Sequence, residues 1–112
     1  MRVTRVRISD EQRRVRLARR HALAGPYRVD DPVAAARAVV ALHATETASV
    51  HLAVAARTEG VSVGDVDRAL YEERSLVRQL AMRRTLFAFP RDLLPMALAS
   101  ASERVATALA TR

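Results

Sequence analysis

The apolar residues of this 112-residue chain depart from helical spacing between about residues 75 and 90, and that departure constrains the fold most. Before Arg74 they recur every three or four positions, as they do on one face of an α-helix. Two β-favourable runs follow, Leu76–Leu80 and residues 85–89, with Met82, Arg83 and Arg84 between them. Helical spacing returns after Pro90. The sequence therefore predicts a mainly α fold with a small antiparallel β-hairpin.

Capping residues, Gly and Pro mark the predicted helix boundaries. The first predicted helix begins at Ser9 or Asp10 and ends at Gly25 and Pro26, and the second runs from Asp31 and Pro32 through residue 44. The third runs from Thr47 to Gly60, and the fourth begins at Ser62. The last begins at Arg91 or Asp92 and has Pro95 in its first turn. Their periodicity predicts inward stripes at Val15, Ala18 and Ala22; at Val33, Ala36 and Val40; at Val66, Ala69 and Leu70; and at Leu94, Leu98, Ala101, Val105 and Leu109.

The last predicted helix has no stop signal before Arg112, and its apolar stripe continues to Leu109. We therefore expect residues 1–112 to form the N-terminal unit of a longer protein.

The charge of the chain predicts an anionic partner. Its formal net charge is +7, and every basic residue other than His is Arg. A guanidinium presents a planar fork of donors that suits phosphate, so double-stranded DNA is the first candidate partner. One stripe of the first predicted helix carries Arg13, Arg16 and Arg20, which are candidate DNA contacts. In the hairpin connection we expect Arg84 to reach phosphate and Arg83 to have a structural role. Coding bias toward Arg is the alternative explanation for the absence of Lys.

Several classes of site are disfavoured by composition. The chain has no Cys and only three Gly, which leaves no thiolate chemistry and no Gly-rich phosphate loop. His43 and His51 lie eight residues apart across a helix break, which is not the spacing of two metal ligands on one helix face, even with Glu46 nearby. We expect no metal and no cofactor. No apolar run has membrane-spanning length and no signal peptide is evident, so a cytoplasmic location without membrane contact is predicted.

Helices followed by a small hairpin on a basic chain suggest a winged helix-turn-helix module. Three segments, "RRVRLARRHALAGP", "VVALHATETASVHLAVAAR" and "LVRQLAMRRTLFAFPRDLLP", occur in an order and at a spacing that resemble the N-terminal part of the AlkZ-like DNA glycosylases, a winged-helix DNA-binding family. The most specific match is the pattern Met-Arg-x-Thr-Leu-Phe followed by Pro and Asp. The resemblance covers nearly the whole chain, and it implies tandem winged-helix units, excision of alkylated or crosslinked bases, and further units after residue 112.

The resemblance also implies a catalytic position. Active relatives carry Gln-x-Gln or Gln-x-Asp there, and its side chains hold the water that attacks the sugar. This chain has His43, Ala44 and Thr45 at that position, so both polar residues differ. A neutral His43 can accept a proton from water near neutral pH, Thr45 can orient that water, and Glu46 can stabilise positive charge.

Structural alternatives accompany these functional interpretations. His43 would instead close a helix end, with Thr45 or Thr47 capping the next helix. The Arg residues would form a solvated face. At the level of the whole chain, the alternatives to base excision are a catalytically silent DNA-binding or regulatory protein and a helical protein-interaction module.

Overall fold

The computed structural model describes residues 4–111 and shows a mainly helical chain with one three-stranded antiparallel sheet. The helices are α1 (Asp10–Arg20), α2 (Pro32–Ala38), α3 (Thr47–Arg57), α4 (Val63–Asp67), α5 (Leu94–Ala97) and α6 (Glu103–Ala110), and the strands are β1 (Leu42–His43), β2 (Leu76–Leu80) and β3 (Leu86–Pro90). A π-helical turn, Arg68–Glu72, extends α4, and a second one, Leu98–Ser102, joins α5 to α6. The first and last residues of the predicted N-terminal unit, Met1 and Arg112, lie outside the described residues.

The predicted helix starts are confirmed where a side chain caps the helix. Ser9 forms a capping box with Gln12 at the start of α1, and Ser62 forms another with Asp65 at the start of α4. Asp31 accepts a hydrogen bond of 2.8 Å from the backbone N–H of Ala34. These bonds satisfy N–H groups that have no partner within the helix, so they fix its first residue.

The predicted hairpin is confirmed, and a third strand joins it. β2 has the predicted bounds, and β3 begins one residue later than predicted. The strand order is β1-β3-β2, so β3 is central and pairs on one side with β2 and on the other with β1. β1 was not predicted, because a strand of two residues is too short to show an alternating pattern.

The sheet separates two apolar clusters. On one face Leu76 and Ala88 pack with α2, α3 and α4, where Val50 and Val54 are fully buried. On the other face Ala81, Phe87 and Phe89 pack against Ala97 of α5. Val66, Ala69 and Leu70 face inward as predicted.

The apolar face of α1 is open, which the sequence did not predict. Val15 is 61% exposed and Leu17 is 45% exposed, and no residue of α1 is buried. Ala22, beyond the end of the helix, is buried and adopts a φ of 58°. The chain therefore leaves the helix at His21, before the predicted stop at Gly25.

α2 ends earlier than predicted. Its last residue is Ala38, and Val40 adopts a φ of 72° with its side chain exposed. Val40 was therefore wrongly predicted to be buried, whereas Ala36 is buried. The extended residues that follow reach β3, and burial of Leu42 against the helices favours this path over a longer helix.

The last helical segment also departs from the predicted stripe. Val105 and Ala97 are buried, but Leu98 and Leu109 are largely exposed. The π-helical turn Leu98–Ser102 has more residues per turn than an α-helix, so it shifts which side chains face the sheet. Ser102 takes the inward position and donates a hydrogen bond of 2.6 Å to the carbonyl of Leu80. Pro95 lies in the first turn of α5, as predicted.

An ion pair joins α2 to the start of this segment. The two terminal nitrogens of Arg37 donate to the two carboxylate oxygens of Asp92 at 2.9 and 2.7 Å. These hydrogen bonds and the charge of Arg37 lower the pKa of Asp92 below its ordinary value of 3.8.

We expect Asp92→Asn to lower the melting temperature slightly at about pH 7, with the difference shrinking as the pH falls below 3.8. The pKa of Asp92 is lowered by folding, so its contribution is present above the unfolded-state pKa and is lost as the pH falls through the folded-state value. Melting curves of both proteins across this range provide the measurement. A difference that grows on acidification would contradict this account of the pair.

Candidate functional site

His43 lies on an edge strand, not at the end of a helix. It is the second residue of β1 and is the register partner of Phe87 in β3. Its imidazole is exposed and lies against the Phe87 ring, with 4.6 Å between the ring centroids and 38° between the ring planes. The predicted position at a helix end is therefore wrong, because α2 stops at Ala38. The contact with buried Phe87 restricts the position of the imidazole.

Residues 43–45, which we call the polar edge segment, alternate in burial. His43 and Thr45 are exposed, and Ala44 between them is fully buried. β1 ends at His43 and Thr45 lies in the bend that follows it. The two candidate catalytic side chains are therefore both exposed within three residues of the chain.

Neither threonine caps α3. The N-cap residue is Glu46, whose side chain makes no capping hydrogen bond, and Thr47 is already the first helical residue. The structural alternative for Thr45 and Thr47 is therefore wrong. Glu46 is exposed directly beside the polar edge segment.

Two residues that were not predicted to be site residues continue the row of His43 across the sheet. Phe87 pairs with His43 on one side and with Gln79 on the other, so the three side chains share one face. Gln79 is half-buried, and its amide makes only a 3.4 Å bond to the adjacent carbonyl of Leu80. The row depends on β1, which explains why spacing in the sequence did not reveal it.

The connection between β2 and β3 presents two arginines in an unusual backbone conformation. We call Met82–Arg84 the arginine turn. Arg83 and Arg84 have φ values of 57° and 58°, and the N–H of Thr85 donates to the carbonyl of Met82 at 3.2 Å. Two consecutive positive φ values are typical of the type I′ hairpin turn, where Asn and Gly are preferred. Each non-Gly residue in this region costs roughly 1–2 kcal/mol.

The guanidinium groups of the arginine turn are available to a ligand. Arg83 and Arg84 are exposed, and within residues 4–111 neither forms an ion pair with an acidic side chain. The turn thus presents two positive charges at one end of the sheet.

The polar edge segment ends beside the arginine turn. The N–H of Ala44 donates to the carbonyl of Leu86 at 2.9 Å, which continues the pairing of β1 with β3. Leu86 is only two residues after Arg84, a separation of about 7 Å in extended chain. His43, Thr45 and the arginine turn therefore form one candidate site.

The arginines of α1 form a separate surface. Arg13, Arg16 and Arg20 are exposed and border a shallow concavity with Leu17, and Arg13 lies 3.9 Å from Asp10. The principal neighbour of α1 is the turn Gly25–Tyr27. The structure thus places the three α1 arginines together, but it does not join them to the polar edge segment.

His51 serves as a link between helices. Its Nε2 lies 3.1 Å from a carboxylate oxygen of Asp67, which joins α3 to α4, and the side chain is 20% exposed. Among the described residues, no group of three His, Cys, Asp or Glu side chains is arranged to hold a metal ion. His51 is therefore a suitable comparison for His43.

Negative charge is concentrated on α4 and the turns that follow it. Asp65, Asp67, Glu72 and Glu73 lie within nine residues, where Arg68 is the only cation. The Asp65 carboxylate accepts hydrogen bonds from the backbone N–H of Ser62 and from Arg68, and these lower its pKa. This helix therefore differs in charge from the arginine turn.

Comparison with known protein families identifies a match over most of the chain. A family model described as "DNA glycosylase AlkZ-like" matches residues 36–112, which include the polar edge segment and the arginine turn. No curated protein and no solved structure matches the chain. Within residues 4–111, no helix has the length and apolar character needed to cross a membrane.

Proposed function

The chain belongs to the AlkZ-like DNA glycosylase family, and we propose that it binds double-stranded DNA through a winged helix-turn-helix unit and excises altered bases at His43 and Thr45. The observation that carries the proposal is the position of two exposed, unpaired arginines beside the polar edge segment. The arginines that would bind phosphate and the exposed His43, which would accept a proton, then lie at the same end of the sheet.

The order of elements supports the winged-helix part of the proposal. α2, β1, α3, α4, β2 and β3 follow one another, and the three strands form one antiparallel sheet. α3 and α4 are joined by a short turn in which Gly60 adopts a φ of 73°. A short Gly-containing turn between two helices is common in helix-turn-helix motifs, and the β2–β3 hairpin would be the wing.

Charge supports contact between the DNA and the arginine turn. The acidic side chains of Asp65 and Asp67 on α4 would face phosphate oxygens if that helix entered a groove, and like charges repel. The arginine turn attracts phosphate instead, and the surface formed by Arg13, Arg16 and Arg20 offers a second contact. In this arrangement the polar edge segment faces the sugar of the target nucleotide.

The proposed chemistry is hydrolysis of the bond between the sugar and an altered base. The base leaves with the electron pair of that bond, and the sugar gains oxocarbenium character, as in glycoside hydrolysis. A water oxygen then bonds to the sugar carbon, and its proton passes to an imidazole nitrogen of His43. Thr45 orients the water, and the exposed Glu46 carboxylate stabilises the positive charge.

A DNA-binding protein without catalysis is the second candidate function. His43 and Thr45 replace both polar residues of the family's Gln-x-Gln or Gln-x-Asp pattern, which favours this candidate. The two candidates share the DNA surface and differ only in base release.

We expect duplex binding to weaken steeply with salt. Three or four neutralised phosphates would reduce affinity about 40- to 150-fold between 50 and 200 mM salt, because bound counterions are released. Fluorescence anisotropy of a labelled duplex, titrated with the chain at each salt concentration, gives this slope. A folded sample that binds no duplex at low salt, or one whose affinity ignores salt, would exclude the proposed function.

A further inference from the structure

A concavity of about 380 Å³ lies beside β2, on the opposite side of the sheet from His43. We call it the β2 concavity. Leu70, Leu76 and Leu86 form its apolar floor, and Tyr71, Arg74 and Arg78 stand around it. Leu76 is fully buried and Leu70 is 7% exposed, so half-buried Leu86 offers the most apolar surface to a ligand among these three.

The side chains around the concavity face solvent. Arg74, Arg78 and Tyr71 are exposed, and within residues 4–111 neither arginine lies in an ion pair, although Glu72 and Glu73 are close in sequence to Arg74. Arg74 also adopts a φ of 54°, a strained conformation for a non-Gly residue. Two unpaired guanidinium groups therefore border an apolar floor and an exposed phenol ring.

This combination fits one nucleotide unit. Guanidinium groups bind phosphate through paired hydrogen bonds, and an apolar floor with an aromatic ring accommodates a sugar or a base. An acidic peptide would satisfy the guanidinium groups but would make less use of the floor and ring.

The position of Arg78 connects the concavity to the arginine turn. Arg78 lies two residues before the end of β2, so it is about 7 Å from that end. A distance of about 7 Å corresponds to about two base steps along a duplex. A nucleic-acid strand that contacts the turn would therefore reach Arg78 without a change of direction.

We propose that the β2 concavity binds, through Arg74 and Arg78, a nucleotide about two base steps along the DNA strand from the one at the arginine turn. This inference rests on the proposed function, since it requires DNA as the ligand. His43 pairs with Phe87 and Arg78 pairs with Ala88, and these neighbours in β3 point to opposite faces. The concavity is thus a binding site, separate from the candidate catalytic edge, that holds the duplex in position.

The test compares three variants that each remove one positive charge. They are Arg74→Asn, Arg78→Gln and, as the control, Arg28→Gln, whose arginine is already 3.7 Å from Glu59. We expect Arg74→Asn and Arg78→Gln each to lower duplex affinity several-fold and to reduce the log–log salt slope by about 0.9, because each loses one phosphate contact. Arg28→Gln should leave the slope unchanged. Melting curves check folding, and Asn tolerates the left-handed conformation at position 74.

Two results would overturn the inference and leave the proposed function in place. In the first, the wild type binds DNA, but the salt slopes of Arg74→Asn and Arg78→Gln equal the slope of Arg28→Gln. In the second, a poly-glutamate peptide binds these arginines more strongly than a duplex of equal charge does. That result would assign the concavity to an acidic protein partner. A folded wild type that binds no DNA at all would overturn both proposals.

Discussion

Replacement of His43 by alanine should slow release of alkylated or crosslinked bases by a factor on the order of 10² to 10⁴, the usual contribution of a positioned proton acceptor. Duplex affinity should change little, because the imidazole aligns a water and binds no phosphate. The side chain is exposed on a short edge strand, so its removal should not disturb the fold. Single-turnover assays on DNA with altered bases measure the rate, and anisotropy measures the affinity.

His51→Ala is the matched control for this prediction. It removes the same ring from an equally Ala- and Val-rich stretch, but the ring contacts Asp67 and lies away from solvent. We expect a lower melting temperature with the rate of base release retained. Equal loss of rate in both variants would contradict the catalytic role of His43. Wild-type DNA binding without release of any base from a broad set of lesions would support the silent DNA-binding protein.

The double substitution Arg83→Asn and Arg84→Gly should change stability and DNA binding in opposite directions. Asn and Gly adopt the positive φ values of the arginine turn with little strain, so the free energy of unfolding should rise by about 2 kcal/mol. Loss of two phosphate contacts should lower duplex affinity roughly 10- to 60-fold near 0.1 M salt. Denaturant unfolding and anisotropy measure the two effects.

A second double substitution, Arg83→Lys and Arg84→Lys, separates charge from backbone strain. Lys keeps the positive charge and, like Arg, disfavours a positive φ. The free energy of unfolding and most of the duplex affinity should therefore remain. If the Asn-Gly variant binds DNA as well as the wild type, the arginine turn does not contact phosphate.

Local structure in this chain could be predicted because its causes are local. Ser9, Asp31 and Ser62 were identified as caps, since a cap requires only residues within one turn of it. β2 was predicted with its observed bounds from its own side chains. The departures at Ala22 and Val40 occur at residues with positive φ and no Gly or Asn, so the sequence carries no turn signal there.

The candidate site could be predicted only in part. The resemblance selected His43 and Thr45, but the neighbours of His43 depend on pairing with Phe87, 44 positions later in the chain. That pairing requires β1, which is too short to recognise in the sequence. Arg84 was placed correctly in the hairpin connection, whereas its φ of 58° was not foreseen. Arg74 and Arg78 were missed as a pair, because a turn and a strand separate them.

The most direct test of where DNA binds is amide chemical-shift mapping of the isotope-labelled chain during titration with a duplex. We expect the largest changes at residues 43–45 and at Arg83, Arg84 and Thr85, with smaller changes around the β2 concavity. Changes confined to the exposed residues of α4, with the arginine turn unaffected, would contradict this expectation and would place the DNA on the acidic helix.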